Sequence, residues 1–336
     1  MVKPLVVLRP DAGPAVGLGH LQRALGLGVA LRERGCSCVV RAPETADVRR
    51  RVQSLGLRFD AAAAAWTAGE EALALDRLGA AALVVDSYEA LGDCLSALRE
   101  GRPLVFIDDL ARFPLPCDVV VNGSVAAADL PYDRLAPTAR ALLGIEYLLL
   151  HPELWEVTAR TPLEQVENVL VTCGGSASSV GPLQKLLHAI EGASSAFGLT
   201  IAAPDDVAAA LAPTLRASSR KVSVISPRST MREAALAADL AVASAGGTTR
   251  ELLRLGVPTV ALVTAENQRA GAVGLSKLGA IELFESVEEA EAGLAQALDE
   301  LVASYEERRR LAEAGPRLID GQGCRRVAGV VLELLG

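Results

Sequence analysis

Aromatic side chains are scarce in this chain of 336 residues, in which Trp, Tyr and Phe together make up 3%. Hydrophobic residues nevertheless account for 51% of the sequence, so Ala, Val and Leu are expected to fill its cores. Histidine is rarer still, with only three residues, His20, His151 and His188. The length predicts one large domain or two of ordinary size.

Long apolar runs are also missing, since none approaches the ~20 residues that span a bilayer. No secretory signal is recognised before the first strand, and we therefore expect a cytoplasmic protein without integral membrane contact. The six cysteines form no CxxC pair and have no histidine at ligand spacing. Reduced thiols are thus expected, and no metal site. The net charge of −8 argues against nucleic acid as a partner.

The chain does contain a repeated alternation of apolar strands and helical patterns. Residues 1–150 and 167–320 are each predicted to form one domain, and residues 151–166, with Pro152 and Pro162, a connector between them. This organisation is typical of an α/β protein made of two Rossmann-like domains with a cleft between them. Residues 321–336 are amphipathic and are predicted to form a C-terminal helix that crosses back to the first domain.

Residues 4–23, PLVVLRPDAGPAVGLGHLQR, have the order strand, glycine-rich loop and helix. Gly17 and Gly19 let the backbone turn tightly and let a ligand approach closely. A dinucleotide fingerprint would require glycine at position 22, where the chain has Gln22. NAD binding is therefore not expected, and no cofactor is predicted.

His20 falls in the predicted first turn of the helix that follows this loop. The positive end of the helix dipole disfavours imidazolium there, which suits a general base. Asp11, nine residues earlier, is predicted to orient the ring. The alternative is that His20 is a packed residue at the start of a helix.

Polar residues recur just after the predicted strands of the first half. They are Arg9 and Asp11, Asp86 and Tyr88, Asp108 and Asp109, and Asn122. The carboxyl ends of parallel strands share one edge of a sheet, where ligands bind. Helix capping is the alternative role for each Asp. The repetition predicts a substrate site that includes Arg9, Asp86, Tyr88 and Asp108.

The second half contains a glycine loop between a strand and a helix, SAGGTTRE at residues 244–251. Gly246 and Gly247 expose backbone N–H groups at a helix N-terminus, where pyrophosphate oxygens bind. Thr248 and Thr249 are predicted to add hydroxyl donors, and Glu251 to accept hydrogen bonds from a ribose diol. The alternative is a capping box of Thr248 and Glu251, which needs no ligand.

Two further stretches are predicted to lie beside this loop. Asn267 and Gln268 follow the next strand, and their amides suit sugar hydroxyls and acetamido groups. Gly174 and Gly175 follow the first strand of this half and are predicted to add another cluster of N–H groups.

A family resemblance runs in order along nearly the whole chain. It is carried by Arg9-x-Asp11, Gly17-x-Gly19-His20-x-x-Arg23, Val85-Asp86-Ser87-Tyr88, Ile107-Asp108-Asp109, Cys117-Asp118, Leu143-Gly144-x-x-Tyr147, Gly174-Gly175, Ala238-Asp239-Leu240, Gly246-Gly247-x-x-x-Glu251, Gly256-x-Pro258, Asn267-Gln268 and Asp320-Gly321-x-Gly323. These residues resemble the nucleotide-sugar hydrolases of the PseG/SpsG type, which have the GT-B architecture and are distant kin of the glycosyltransferase MurG. The sequence departs from that family at Ser87, where a His is common, and at Arg250, where a Trp is common.

The resemblance implies metal-independent hydrolysis of a nucleotide sugar, UDP-linked rather than CMP-linked, that carries an acetamido-bearing deoxysugar. Such a reaction belongs to the biosynthesis of a nonulosonic acid such as pseudaminic acid. It implies that His20 activates water for an inverting attack on the anomeric carbon, that Gly246, Gly247 and Glu251 hold the nucleotide, and that Arg23 contacts the substrate. Two other functions stay open: a MurG-like glycosyltransferase in which His20 deprotonates an acceptor hydroxyl, and an inactive nucleotide-sugar binding protein.

Overall fold

The computed structural model describes residues 3–13, 16–90, 92–174, 177–226 and 232–336. The chain divides into two compact units. Unit 1 consists of Met1–Trp155 with Gly321–Gly336, and unit 2 of Glu156–Asp320. Within the described ranges, no helix is both long and apolar enough to cross a membrane.

Unit 1 is built on a seven-stranded parallel sheet. Its strands are β1 (Leu5–Pro10), β2 (Ser37–Pro43), β3 (Arg58–Ala62), β4 (Ala82–Asp86), β5 (Leu104–Ile107), β6 (Val119–Asn122) and β7 (Arg140–Leu143). The helices that follow them are α1 (Gly19–Glu33), α2 (Ala46–Ser54), α3 (Ala68–Leu78), α4 (Gly92–Arg99) and α5 (Tyr132–Leu135). The strand order is β3-β2-β1-β4-β5-β6-β7.

The order of this sheet reverses direction between β1 and β4, which pair in parallel. Pro10 lies in register with Asp86, so the two strands end at the same level. Loops that leave neighbouring strands in opposite directions open a crevice at the carboxyl edge, where α/β folds bind ligands. The loop that leads to His20 and the segment that begins at Asp86 therefore lie at the switch point of unit 1.

Unit 2 has a six-stranded parallel sheet of the same kind. Its strands are β8 (Asn168–Thr172), β9 (Gly198–Ala202), β10 (Val222–Ile225), β11 (Leu240–Ser244), β12 (Thr259–Leu262) and β13 (Glu282–Phe284), in the order β10-β9-β8-β11-β12-β13. Its helices are α6 (Val180–Ile190), α7 (Asp205–Ala217), α8 (Arg232–Leu236), α9 (Gly247–Arg254), α10 (Glu266–Lys277), α11 (Val287–Ala303) and α12 (Tyr305–Leu318). The switch point lies between β8 and β11.

The central strands are buried along their whole length, as in β1 and β11. Strands covered on both faces carry continuous apolar runs, and such runs are what made these strands recognisable in the sequence. Three strands, β3, β7 and β13, are not predicted from the sequence. All three lie at an edge of their sheet and expose part of their length. They therefore have no continuous apolar run.

The C-terminal helix α13 (Gly323–Leu335) is part of unit 1. Two glycines allow α13, α1 and residues 148–150 to lie close together. A Cβ on Gly323 would lie 2.1 Å from the carbonyl oxygen of Leu148, and a Cβ on Gly26 of α1 would lie 2.3 Å from that of Leu150 and 2.9 Å from the Cys324 sulfur. The close approach of α1, α13 and residues 148–150 thus requires glycine at both positions.

We expect Gly26→Ala to lower the free energy of unfolding by roughly 1–3 kcal/mol, because overpacking displaces the Leu150 backbone. Gly329→Ala in α13 is the matched control. A Cβ at Gly329 meets no atom within 4 Å among the described residues, so the higher helix propensity of Ala should raise the unfolding free energy by about 0.5–1 kcal/mol. Denaturant titration measures both variants. Equal stability of Gly26→Ala and the unmodified chain would contradict this packing.

Candidate functional site

His20 lies in the first turn of α1, directly after the loop that follows β1. Its Nδ1 is 2.5 Å from Oδ1 of Asp86, at the end of β4. Because an ionised carboxylate only accepts, this hydrogen bond assigns the proton to Nδ1 and leaves Nε2 as the basic nitrogen. The residue is 5% exposed, and its ring forms a T-shaped pair with the Tyr88 ring, with centroids 4.5 Å apart. His20 is thus buried against polar groups, and its tautomer is set by Asp86.

Arg23, one turn further along α1, links two carboxylates. Its Nε donates to Oδ2 of Asp86 at 2.8 Å and its Nη2 to Oδ1 at 2.6 Å. Its Nη1 donates to both oxygens of Asp109, at 2.8 and 2.7 Å. Burial disfavours the charged guanidinium, but Asp109 and Asp86 outweigh this and raise the pKa of Arg23 well above its usual value. Arg23 therefore remains a cation that ties the ends of β4 and β5 to α1.

Tyr88 completes this cluster. Its hydroxyl donates to Oδ2 of Asp109 at 2.9 Å, and its ring contacts His20. The structure thus brings together His20, Arg23, Asp86 and Tyr88, four of the residues that the sequence predicts for the site. It adds Asp109, which follows a predicted strand but is not among the residues predicted for the site.

Asp11 does not orient His20, because Asp86 occupies that role, and this part of the prediction is wrong. Oδ2 of Asp11 accepts hydrogen bonds from the Ser87 hydroxyl at 2.7 Å and from the backbone N–H of Tyr88 at 2.9 Å. Asp11 is buried and holds the segment after β4 in place. It supports the position of Tyr88 and does not contact the imidazole.

Arg9 is also wrongly predicted as a substrate ligand. It is 1% exposed, and its Nε donates to Oε1 of Glu71 at 3.0 Å while Nη2 donates to the carbonyl of Ala63 at 2.8 Å. Its guanidinium also lies 4.3 Å from the ring centre of Trp66. A buried pair of this kind fixes α3 and the preceding loop to the sheet, and it offers no donor to a ligand.

Asp108 is the third correction, because its carboxylate is used inside unit 1. It accepts from the N–H groups of Leu110 and Ala111, at 3.1 and 2.8 Å, and from the Tyr132 hydroxyl at 2.8 Å. These bonds build the turn after β5 that presents Asp109 to Arg23. The chain pays for this turn with a left-handed backbone at Ala111, whose φ is +47°.

The loop before α1 is closed by two glycines. Gly17, with φ +76°, and Gly13 exchange backbone hydrogen bonds of 2.8 and 3.3 Å. Gly19 then begins α1, and within the described part of the chain no side chain caps that helix. The conformational freedom expected of Gly17 is therefore used, while the role of Gly19 toward a ligand stays a prediction.

In unit 2, α9 begins at Gly247 with Gly246 as its N-cap. Among the described residues no side chain caps α9, and its first turn contains no acidic residue. A Cβ at Gly247 would meet nothing described within 4 Å. The first N–H groups of a helix have no intrahelical acceptor, so this end of α9 is an open, electropositive position at the switch point of unit 2.

The capping box that Thr248 and Glu251 would form is wrong, because Gly246 is the N-cap and Thr248 lies inside the helix. Glu251 lies beyond the first turn of α9 and is half-buried. The Thr249 hydroxyl donates to the carbonyl of Ser244 at 2.8 Å and is buried, so its predicted role as a ligand donor is also wrong. Thr248 and Glu251 remain predicted ligand contacts.

Gln268 lies beside the glycine loop, as the order of strands predicts. Its Oε1 accepts from the N–H of Thr264 at 2.9 Å, and its Nε2 would be 3.6 Å from a Cβ on Gly246. Asn267 is exposed at the start of α10. Gly174 follows β8 with φ +87°, a conformation that favours glycine. Gly175 lies outside the described residues.

In the described ranges, no group of three or more His, Cys, Asp and Glu side chains is placed to hold a metal ion. The chemistry that the clusters offer is of two kinds. Unit 1 presents a buried imidazole with a fixed tautomer, which suits proton transfer. Unit 2 presents uncapped backbone N–H groups and an amide, which suit an oxyanion such as a phosphate.

We expect Ala111→Gly to raise the unfolding free energy by up to about 1 kcal/mol, because glycine adopts a positive φ without steric cost. Ala72→Gly in α3 is the matched control and should lower it by about 1 kcal/mol, since this residue lies in a helix. Thermal unfolding of both variants measures the difference. Destabilisation of Ala111→Gly as large as that of the control would contradict the strained turn after β5.

The match to a known protein family lies within one of the two units of the chain. Residues 169–317, all in unit 2, match the family model of the glycosyltransferase family 28 C-terminal domain. A search of curated proteins finds no match.

Solved structures match over the full length. MurG of Acinetobacter baumannii has 16% identity and a TM-score of 0.68, with 99% of this chain and 100% of that chain covered. The glycotransferase of kitacinnamycin has 16% identity and a TM-score of 0.72, with 100% of both chains covered. The spinosyn rhamnosyltransferase SpnG, complexed with thymidine diphosphate, has 16% identity and a TM-score of 0.64, with 99% of this chain and 100% of that chain covered. At these identities the likeness shows the fold, and with the two parallel sheets it confirms the predicted fold class: two Rossmann-like domains of the GT-B type.

Proposed function

We propose that this protein is a glycosyltransferase that moves a glycosyl group from a nucleotide sugar to an acceptor hydroxyl. The observation that carries the proposal is the buried pair of His20 and Asp86 at the switch point of unit 1. The family match of residues 169–317 supports it for unit 2. The GT-B fold, shared with several glycosyltransferases, is consistent with it.

The proposed reaction is a single displacement. Nε2 of His20 takes the proton of the acceptor hydroxyl while the acceptor oxygen forms a bond to the anomeric carbon. The bond between that carbon and the phosphate oxygen breaks, and the nucleoside diphosphate leaves with the electron pair. The configuration at the anomeric carbon is inverted. Asp86 stabilises the imidazolium that forms, because it already accepts the hydrogen of Nδ1.

We assign nucleotide binding to the open end of α9 in unit 2. Backbone N–H groups at Gly246 and Gly247 would donate to the phosphate oxygens, with Thr248, Gln268 and Glu251 around them. The spinosyn rhamnosyltransferase SpnG was solved with thymidine diphosphate, which supports a nucleoside diphosphate as the leaving group. A uridine diphosphate sugar, in preference to a CMP-sugar, is the first substrate to test.

Hydrolysis of the nucleotide sugar is the second candidate, and one observation favours it. His20 is 5% exposed, and water reaches a ring nitrogen of such a residue more easily than a hydroxyl on a bulky acceptor. Hydrolysis also agrees with the resemblance to the PseG/SpsG-type enzymes, whose acetamido-bearing deoxysugar and pseudaminic acid pathway would then apply here. The intact pair of His20 and Asp86 argues against an inactive binding protein.

The two reactions differ in their dependence on acceptor. We expect a panel of UDP- and TDP-sugars to release nucleoside diphosphate only when an acceptor alcohol is added, with the product detected by mass spectrometry. His20→Ala should reduce the rate by roughly 10²–10⁴-fold, the usual contribution of a general base. If nucleotide and free sugar form at the same rate without acceptor, the reaction is hydrolysis and not glycosyl transfer. A His20→Ala rate equal to that of the unmodified protein would reject both mechanisms.

Nucleotide binding at α9 can be tested without turnover. Gly247→Asp places a carboxylate where the phosphates are proposed to bind, and we expect the dissociation constant of UDP to rise at least about tenfold by calorimetry. Gly247→Asn is the matched control, of nearly equal size but uncharged, and should weaken binding less. Neither should lower the melting temperature, since a Cβ at Gly247 meets nothing described within 4 Å. If Gly247→Asp and the unmodified chain bind UDP with equal affinity, the nucleotide does not bind at the start of α9.

A further inference from the structure

We propose that Asp109 sets the basicity of His20 through Arg23, so that Arg23 and Asp109 act as a pair of positioning residues with opposite effects. Neither residue is placed to take the reacting proton, because each is engaged with a charged neighbour. The inference deepens the proposed function and depends on it only for its kinetic readout.

The geometry that supports this is a chain of contacts from the imidazole to Asp109. Asp86 Oδ1 is 2.5 Å from Nδ1 of His20 and 2.6 Å from Nη2 of Arg23, and that Nη2 is itself 3.0 Å from Nδ1. The same guanidinium uses its Nη1 on both oxygens of Asp109. Arg23 therefore divides its positive charge between two carboxylates, of which only Asp86 contacts the imidazole.

The charge balance of this cluster determines how easily His20 takes a proton. Two carboxylates and one guanidinium lie in one series of contacts with the ring, so removal of any one of these charges changes how favourable the imidazolium is. Arg23 side-chain exposure is 17% and that of Asp86 is 2%, so solvent screens these charges weakly.

Other charged or titratable groups lie around the ring and have assigned partners. Asp11, after β1, is bound to Ser87 and to the N–H of Tyr88. The Tyr88 hydroxyl donates to Asp109. Arg112 is exposed, with its guanidinium 5.8 Å from the centre of the Tyr88 ring. Arg112 thus lies beyond the Tyr88 ring, whereas Arg23 contacts both Asp86 and Asp109 directly.

Proton NMR titration of the imidazole resonances tests the proposal directly, because the chain has only three histidines. His20→Ala identifies the His20 signal, and His151 and His188 serve as internal references. We expect Asp109→Asn to lower the titration midpoint of His20 by roughly 0.5–1 pH unit, since Arg23 then neutralises Asp86 more fully. Arg23→Gln should raise the midpoint by a similar amount, since Asp86 is then uncompensated.

Asp118→Asn is the matched control. Asp118 pairs with Arg99 and accepts from the N–H of Leu104, at the amino end of β5, so the same loss of one charge occurs at the opposite edge of the same sheet. It should leave the His20 midpoint unchanged. A midpoint in Asp109→Asn that is unchanged or raised relative to the unmodified protein would overturn the proposal. If Arg23→Gln does not fold, the comparison of Asp109→Asn with Asp118→Asn decides alone.

The kinetic readout separates this inference from the proposed function. In an active enzyme, the acidic limb of the pH profile of kcat/KM should move to lower pH in Asp109→Asn and to higher pH in Arg23→Gln, by the same amounts as in the NMR titration. NMR shifts of the expected sign in a protein that turns over no nucleotide sugar would refute the proposed function and leave the charge balance intact. Turnover with an unmoved NMR midpoint in Asp109→Asn would refute the charge balance alone.

Discussion

The carboxylate of Asp86 is the interaction on which the first site depends. It fixes the tautomer of His20 through one oxygen and holds Arg23 through both. A buried carboxylate would be costly without partners, and here the cation and the imidazole hydrogen both satisfy it. The same contacts join the end of β4 to the first turns of α1. Asp86 therefore both holds these elements together and orients the imidazole.

The position of this group follows from strand order. In both units the sheet changes direction next to its first strand, β1 in unit 1 and β8 in unit 2. The segments that leave the two central strands there are separated by a crevice that needs no special sequence to form. What differs between the units is the chemistry placed at that point: a histidine with two carboxylates in unit 1, and an uncapped glycine start of α9 in unit 2. A division between proton transfer and phosphate binding is consistent with this difference.

Several conspicuous polar residues serve to hold these groups in place. Glu71 is 3% exposed and pairs with both Arg9 and Arg41, which anchors α3 to the strands beside it. Asp108 builds the turn that carries Asp109, and Asp11 fixes the segment that carries Tyr88. Asp108 and Asp11 are therefore not ligand contacts themselves, and they hold Asp109 and Tyr88 in position. Preorganised positions of this kind lower the cost of reaching a reactive geometry.

The sequence by itself determined the α/β class, the central strands and the glycine loops, because buried parallel strands carry continuous apolar runs and tight turns require glycine. His20, Asp86 and Tyr88 were candidates from the residues themselves and Arg23 from the family resemblance, and their part in a functional site remains a prediction. Tertiary structure alone decided which carboxylate meets the histidine. Adjacent carboxylates such as Asp108 and Asp109 are chemically identical in a sequence, and only the turn after β5 directs one inward and the other to Arg23. Three of the four edge strands, β3, β7 and β13, were not predicted, whereas β10 was, and the reason is related: the burial of an edge strand depends on a neighbour that is distant along the chain.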